Sequence, residues 1–182
     1  MRDWKGPLVL GLLTVLSACT PLPAVSPEGS GYRVQQTGIL PSWLLRLTRD
    51  DPATETEIRR LNDQARSLAG GFGALDFHPT LQTAARAYSR DLANGVASPR
   101  NPIDRVRDTG MKLGLAYFYV RILPWRANLA ADLMKAPGTG WLNDAGSRPV
   151  FLHDDLTDIG VGAIRGRNGR AYVTVVLVER TL

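Results

Sequence analysis

The amino-acid sequence predicts an α+β fold in which helices fill the first half of the folded region and antiparallel strands close the chain. Three observations lead to this prediction. Apolar residues recur at helical spacing between residues 52 and 110, and residues 116–123 are rich in aromatic and branched side chains. Two further apolar runs flank Asn168-Gly169, a dipeptide typical of a β-hairpin turn. The most economical arrangement is helices packed against an antiparallel sheet.

The composition is that of one folded domain. Of the 182 residues, 44% are hydrophobic and 21% are charged, and the net charge is +5. These values exclude a disordered chain and a polytopic membrane protein, and the single cysteine excludes an intramolecular disulfide and a cysteine-based metal cluster. Two histidines leave little material for a zinc enzyme. The modest positive charge suits a domain that tolerates anionic surfaces, and it does not by itself indicate nucleic-acid binding.

The first 18 residues have the pattern of a signal peptide. Arg2 and Lys5 precede an uninterrupted apolar run over residues 8–16, which as a helix would extend only about 14 Å and is too short to span a bilayer. The run ends in Leu16-Ser17-Ala18-Cys19, which resembles the lipobox of bacterial lipoproteins. That resemblance implies cleavage before Cys19 and acylation of its thiol. An ordinary signal peptide with an incidental cysteine is the alternative.

Residues 19–50 are expected to connect this anchor to the folded domain. They comprise the lipidated Cys19, a flexible linker rich in proline and glycine, and a lead-in segment. Within that segment, residues 41–47 favour a short amphipathic helix that either covers the domain or touches a membrane. We therefore expect a protein held by membrane lipid in the cell envelope, facing away from the cytoplasm.

Residues 51–182 are expected to form the domain. Asp51 is the predicted cap of a first helix that begins with Pro52 and stops at Gly70. A second helix starts near Pro79 and ends at Gly95. The later elements are a short helix from Asn101 to Gly110, a strand over residues 116–123, a helix over 125–134, and two strands over 159–164 and 171–178 joined by the turn 167–170.

Five segments occur in the order found in one known family. They are Leu61-Asn62-Asp63-Gln64-Ala65-Arg66, Leu75-Asp76-Phe77-His78-Pro79, Pro102-Ile103-Asp104-Arg105-Val106 with Gly110, Gly140-Trp141-Leu142-Asn143 with Gly146-Ser147-Arg148, and Leu156-Thr157-Asp158-Ile159-Gly160-Val161-Gly162. Together they resemble the motifs of the CAP superfamily (cysteine-rich secretory, antigen 5, pathogenesis-related) in its bacterial form without disulfides. The resemblance runs from about residue 55 to the end. It implies an αβα sandwich with a central antiparallel sheet.

The departures from the family pattern concern its metal ligands. Many CAP domains carry two histidines and two acidic residues that line a central cleft and can hold a divalent cation. Residues 95–99 lack the expected histidine, residues 117–120 lack the expected glutamate, and Ser147 replaces the histidine of a Gly-His-Arg motif. Because zinc needs three or four converging donors, the departures predict a cleft without the family's metal and a protein without a cofactor.

A cleft that is apolar and able to hydrogen-bond is the expected site. Since consecutive residues alternate across a strand, one face of the aromatic residues at 117–119 should join the core and the other should line the cleft. The residues expected to wall or border the cleft are Tyr117, Tyr119, Trp141, Ser147, Arg148 and His153.

The remaining polar groups each have a structural interpretation beside a catalytic one. His78 is expected to cap the second helix or to lie on the surface, with catalysis as the alternative. His153-Asp154-Asp155 is either a ligand cluster, an acid–base pair or a set of turn caps. Ser147, His153 and Asp158 are the residue types of a hydrolase triad, although no nucleophile-elbow spacing surrounds Ser147.

Gly160 and Gly162 lie inside a strand, which favours tight backbone packing over a phosphate loop.

Two functions follow from these observations. The one we favour is a non-enzymatic envelope lipoprotein whose domain binds a lipid, a wall fragment or another protein. The alternative is a cell-envelope hydrolase that uses Ser147 or His153. Export to the envelope makes nucleic acid and ATP poor partner candidates.

Overall fold

The computed structural model describes residues 48–181. The expected signal peptide, Cys19, the linker and the amphipathic segment 41–47 lie outside the described residues. The described elements follow one another as β1 (Arg49–Asp50), α1 (Pro52–Gly70), β2 (Asp76–Phe77), α2 (Pro79–Ala93), α3 (Pro102–Arg107), β3 (Leu113–Pro124), α4 (Leu129–Lys135), α5 (Arg148–Phe151), β4 (Asp158–Arg165) and β5 (Arg170–Arg180). Within this part of the chain, no helix has both the length and the apolar character needed to cross a membrane.

The first three helices begin at the predicted caps. The Asp51 carboxylate accepts a hydrogen bond from the Thr54 amide at 3.1 Å, and Asn101 Oδ1 accepts from the Ile103 amide at 2.8 Å. His78 caps α2 by accepting from the Thr80 amide through Nδ1 at 3.2 Å. In each helix a proline follows the cap, where its missing N–H costs nothing.

Four strands form an antiparallel sheet in the order β1-β4-β5-β3, and the short β2 pairs with β4 in the parallel direction. The predicted hairpin joins β4 to β5, with the left-handed turn residue Gly169 at φ +71°. The two-residue strands β1 and β2 were not predicted, because two residues carry no periodicity. The helix predicted over 125–134 starts later, at Leu129, because the Trp125 amide donates to the Gly169 carbonyl and extends the sheet.

Both faces of the sheet are covered by helices. Along β5, Val173, Val175 and Leu177 point into a core shared with α1 and α4, whereas Val176 and Val178 point into a second core shared with α2 and α3. This alternation is the period-two pattern of a strand buried on both sides. The architecture is therefore an α+β fold of the αβα sandwich type, as predicted.

Helix α2 lies unusually close to the sheet. A Cβ atom placed on Gly160 would lie 2.3 Å from the carbonyl carbon of Leu81, and one placed on Gly162 would lie 2.3 Å from that of Ala85. The backbone of α2 therefore packs directly against the two glycines, and the tight backbone packing predicted for them is confirmed.

Candidate functional site

The aromatic residues of β3 pack on both faces of the sheet. The Phe118 ring meets the Tyr88 ring edge-on at 5.6 Å, on the side of α2. On the other face, Tyr117 and Tyr119 pack against the first core, and the Tyr119 ring lies 5.2 Å from that of Phe151. Burial raises the pKa of the Tyr119 hydroxyl, so this group is a neutral hydrogen-bonding group at physiological pH. The two tyrosines are half-buried and keep part of their surface in solvent.

Trp141 was expected to wall the cleft, but it lies in the interior, beside Tyr119. Its side chain is fully buried, and its ring stacks on Phe151 at 5.5 Å. The backbone amide of Trp141 donates to the Leu133 carbonyl at 2.8 Å, which ties the loop after α4 to the core. Trp141 therefore packs against Tyr119, whose ring centroid lies 6.4 Å from that of the indole.

Ser147 is buried and its hydroxyl is committed to the local backbone. The hydroxyl oxygen lies 2.8 Å from the Trp141 carbonyl oxygen and 2.8 Å from a carboxylate oxygen of Asp144. The Ser147 amide also donates to that carboxylate at 2.8 Å, and these two bonds lower the pKa of Asp144. Ser147 thus holds the turn that leads into α5.

The three residue types of a hydrolase triad are not assembled. His153 Nδ1 accepts from the Asp155 amide at 3.3 Å, and the buried Asp158 accepts from the Thr157 hydroxyl at 2.6 Å. Among residues 48–181, no hydrogen bond joins any two of Ser147, His153 and Asp158. A serine nucleophile needs a base within hydrogen-bond reach, and the acceptor at Ser147 is a carboxylate whose lowered pKa makes it a weak base.

His153, Asp154 and Asp155 bring three candidate metal-ligand atoms within 4.8 Å of one another. The two aspartates are exposed and His153 is half-exposed. The loop is held from below by Arg66, whose buried guanidinium donates to the carbonyls of Gly73, Phe151 and His153. Exposed carboxylates of this kind are common features of turns, so the cluster does not by itself define a metal site.

Arg148 borders a groove of about 310 Å³ between the last turns of α1, the end of α4 and α5. Apolar side chains line much of it, namely Ala65, Leu68, Ala69, Leu142 and Leu152. Leu68 continues the apolar stripe of α1, and the stripe predicts a buried residue, yet this side chain is 81% exposed. The stripe therefore extends past the core and becomes one wall of the groove.

The polar residues of the groove are Lys135, Arg148, Gln64 and Asn143. Arg148 Nη1 donates to the Leu142 carbonyl at 2.9 Å, and Lys135 Nζ lies 3.4 Å from Gln64 Oε1. Since no acidic residue lines the groove, these two positive charges face the groove without a carboxylate. The sequence analysis expected Arg148 in a different cleft, beside Tyr117 and Tyr119, and it missed this groove with Lys135 and Leu68. The one signal for Leu68 was an apolar stripe that continues past the core.

A second cavity, of about 520 Å³, lies between α2 and α3. Threonine hydroxyls and three charged residues line it: Thr80, Thr83, Thr109, Arg100, Arg105 and Asp108. All three charges are already paired, since Arg100 binds Asp108 and Arg105 binds Asp91. The rest of the lining is mostly apolar and includes Pro79, Ala84 and Ala87, so the cavity offers a ligand an apolar surface with a few neutral hydroxyl groups.

Comparisons with known proteins support the fold. No family model matches the chain, and no curated protein matches it significantly. Among solved structures, the chain is similar to a cysteine-rich secretory protein from Staphylococcus aureus, with a TM-score of 0.57 and 14% identity over 71% of this chain and 39% of that one. It is also similar to an outer surface protein from Borrelia burgdorferi, with a TM-score of 0.55 and 15% identity over 73% of this chain and 98% of that one. The chain thus spans about two fifths of the staphylococcal protein, and its fold is CAP-like.

Proposed function

We propose that this chain, whose fold is CAP-like, is a cell-envelope lipoprotein that is anchored through acylated Cys19 and binds a ligand without chemical turnover. The observation that carries the proposal is the groove beside Arg148, in which an apolar wall meets two cations. Sites for small molecules are typically concave, mostly apolar and supplied with a few polar groups that orient the ligand. The volume of about 310 Å³ lies at the lower end of the range for such sites.

The lining of the groove selects the class of ligand. Leu68, Leu142 and Leu152 suit a hydrocarbon chain, and the guanidinium of Arg148 with the ammonium of Lys135 suits an anionic group at one end of it. Of the three classes that the sequence leaves open, a lipid with a single chain and an anionic head combines both features. A wall fragment is richer in hydroxyl groups than this lining accommodates.

The ligand is tested by titration of the full chain with a fluorescent fatty acid. Charge-assisted hydrogen bonds contribute about 1.5–3 kcal/mol each, so we expect Arg148→Gln and Lys135→Gln each to weaken binding by about tenfold or more. Arg107→Gln, an exposed arginine on α3 outside the groove, serves as the matched control. Equal affinity of the wild type and the three variants for the fatty acid would show that the groove does not bind it. Native mass spectrometry of the chain from its own host then identifies the bound molecule.

The anchor is tested separately on the protein from its bacterial host. The lipobox ends in the only cysteine of the chain, and the fold similarity to an outer surface protein supports an exported setting. We expect intact-mass analysis to find an N-terminal Cys19 carrying diacylglycerol, and Cys19→Ser to lack this mass. An unmodified Cys19 in a cleaved protein would contradict the anchor and leave the groove untouched.

No observation favours the alternative of a hydrolase. The Ser147 hydroxyl is buried and faces a carbonyl and a weakly basic carboxylate. Assays with esters and wall fragments are expected to give no turnover above background. Turnover that Ser147→Ala abolishes while the fold is retained would reverse this conclusion.

A further inference from the structure

One end of the sheet carries a cluster of arginines that the proposed ligand groove does not use. Arg49 starts β1, Arg165 ends β4, Arg167 lies in the hairpin turn and Arg170 starts β5. All four side chains are exposed. Within the described part of the chain, no carboxylate forms an ion pair with any of them. We call these four residues the arginine face.

The nearest acidic side chains are committed elsewhere. Asp50 accepts from Arg90 at 2.7 Å, and Asp51 accepts from Thr54 and from Trp125 Nε1. These hydrogen bonds do not neutralise the two carboxylates, but the four arginines outnumber them, so the arginine face carries a net positive charge.

The geometry brings like charges together at the centre of this face. Arg49 and Arg165 are direct partners across the β1–β4 pair, and like charges in this position destabilise a sheet. The same two residues border a hollow of about 440 Å³ whose charged lining residues are all arginines. They also border a smaller hollow of about 190 Å³, which Asp50 and Asp51 line as well. An anionic group seated between the guanidinium groups would relieve their repulsion, and guanidinium groups match phosphate oxygens in bidentate geometry.

Trp125 adds an amphipathic side chain to the rim of the face. The Arg165 guanidinium stacks on its ring at 3.8 Å, and 36% of the side chain is exposed. Tryptophan beside arginine is the combination enriched where proteins meet the headgroup region of a bilayer.

The position of the face in the chain identifies its partner. Arg49 is the second described residue, so residues 1–47 lead directly into this end of the sheet. Cys19 and Arg49 are 30 residues apart in the sequence, and a flexible linker of that length, as the composition predicts, would have a root-mean-square extent of only ~30 Å. If Cys19 is acylated and held in a bilayer, these arginines can therefore reach the surface of that bilayer.

We propose that the arginine face docks the domain onto a bilayer surface that contains anionic phospholipids. This inference rests on the anchoring half of the proposed function and is independent of the groove. Docking would orient the domain, since one end of the sheet then faces the headgroups.

The test uses the full chain with Cys19→Ser, which cannot be acylated at that position, so its outcome does not depend on the anchor. Binding is measured by cosedimentation with vesicles of phosphatidylcholine alone and with 30% phosphatidylglycerol, and the readout is the ratio of the two partition coefficients. A basic residue near an anionic surface contributes about fivefold in binding. Since four such factors multiply, we expect the change of Arg49, Arg165, Arg167 and Arg170 to glutamine to lower this ratio by about 600-fold.

Two further variants keep the experiment interpretable. The matched control changes four exposed arginines elsewhere (Arg60, Arg100, Arg107 and Arg121) to glutamine, which alters the net charge equally and is expected to lower the ratio less than threefold. The double change Arg167→Gln with Arg170→Gln leaves the stack of Arg165 on Trp125 intact and is expected to lower the ratio by about 25-fold. Circular dichroism checks that each variant is folded.

Four outcomes would overturn the proposal. Equal losses in the two quadruple variants would show that net charge alone governs binding, and no loss in either would show that the face is not used. Loss of the phosphatidylglycerol preference in 10 mM inorganic phosphate at constant ionic strength would identify a site for free anions. Binding to polyglutamate that depends on the same four arginines, without a preference for anionic vesicles, would point instead to an acidic protein partner.

Discussion

Replacing Gly162 by alanine tests how the CAP-like sandwich is held together. The added Cβ would lie 2.3 Å from the Ala85 carbonyl carbon and 2.3 Å from the Arg86 amide nitrogen. Both atoms belong to the backbone of α2 and cannot swing aside as a flexible side chain would. The helix must therefore move away from the sheet by about 1 Å to reach ordinary van der Waals separation.

Moving α2 away from the sheet lowers the free energy of unfolding. Overpacking a tight core costs about 1–3 kcal/mol, and a gap of 0.5–1 Å forfeits a quarter to a half of each dispersion contact along the helix. Restricting the unfolded chain by replacing glycine returns about 0.4–1 kcal/mol. The net loss is expected to be about 2–3 kcal/mol, which for a domain of this size lowers Tm by roughly 10 °C.

The assay is urea and thermal unfolding followed by circular dichroism, with Gly73→Ala as the control. At Gly73 an added Cβ meets nothing within 4 Å, so its effect should lie within about 0.5 kcal/mol. If Gly162→Ala lowers the free energy of unfolding by less than 1 kcal/mol, or by no more than Gly73→Ala does, then close packing of α2 on the glycines does not stabilise the sandwich.

Three further predictions concern polar residues. The buried Glu55 carboxylate accepts from Gln82, from Arg86 and from the Ala163 amide, so Glu55→Gln should cost about 2–3 kcal/mol in urea unfolding. Arg66→Leu leaves three carbonyls without their donor and should cost about 3 kcal/mol by the same measurement. Ser147→Ala removes the bonds that lower the pKa of Asp144, so NMR titration should find that pKa raised towards its ordinary value. A carboxyl whose folded pKa is depressed stabilises the fold above its unfolded pKa and loses this contribution as pH falls through the folded pKa; the stability difference between wild type and Ser147→Ala should therefore shrink in acid.

Matched controls separate these effects from general sensitivity to mutation. Glu57→Gln affects a more exposed carboxylate that pairs with Arg60 and should leave the midpoint of urea unfolding close to that of the wild type. Arg66→Lys keeps the charge but not the planar fork of donors, so it should recover only part of the loss in Arg66→Leu. Full recovery by lysine would show that the charge matters and the three carbonyl bonds do not.

The local features of this protein were determined by short stretches of sequence. The caps at Asp51, His78 and Asn101 depend on a side chain and an amide two or three residues away, and the hairpin depends on Asn168-Gly169. Such contacts involve neighbours in the chain, so the residue types alone predict them. The five CAP-like motifs, found in the order of the family, predicted the arrangement of the whole sandwich as well.

The location of the candidate site depended on contacts between distant segments. Trp141 was expected to wall a cleft, yet it is buried because its backbone is tied to Leu133 and its ring stacks on Phe151. Leu68 belongs to the same apolar stripe as Leu61, but only Leu61 meets the core. An apolar pattern records which side chains avoid water, and only the packing of the other elements decides whether such a side chain is covered by the core or left as the wall of a groove.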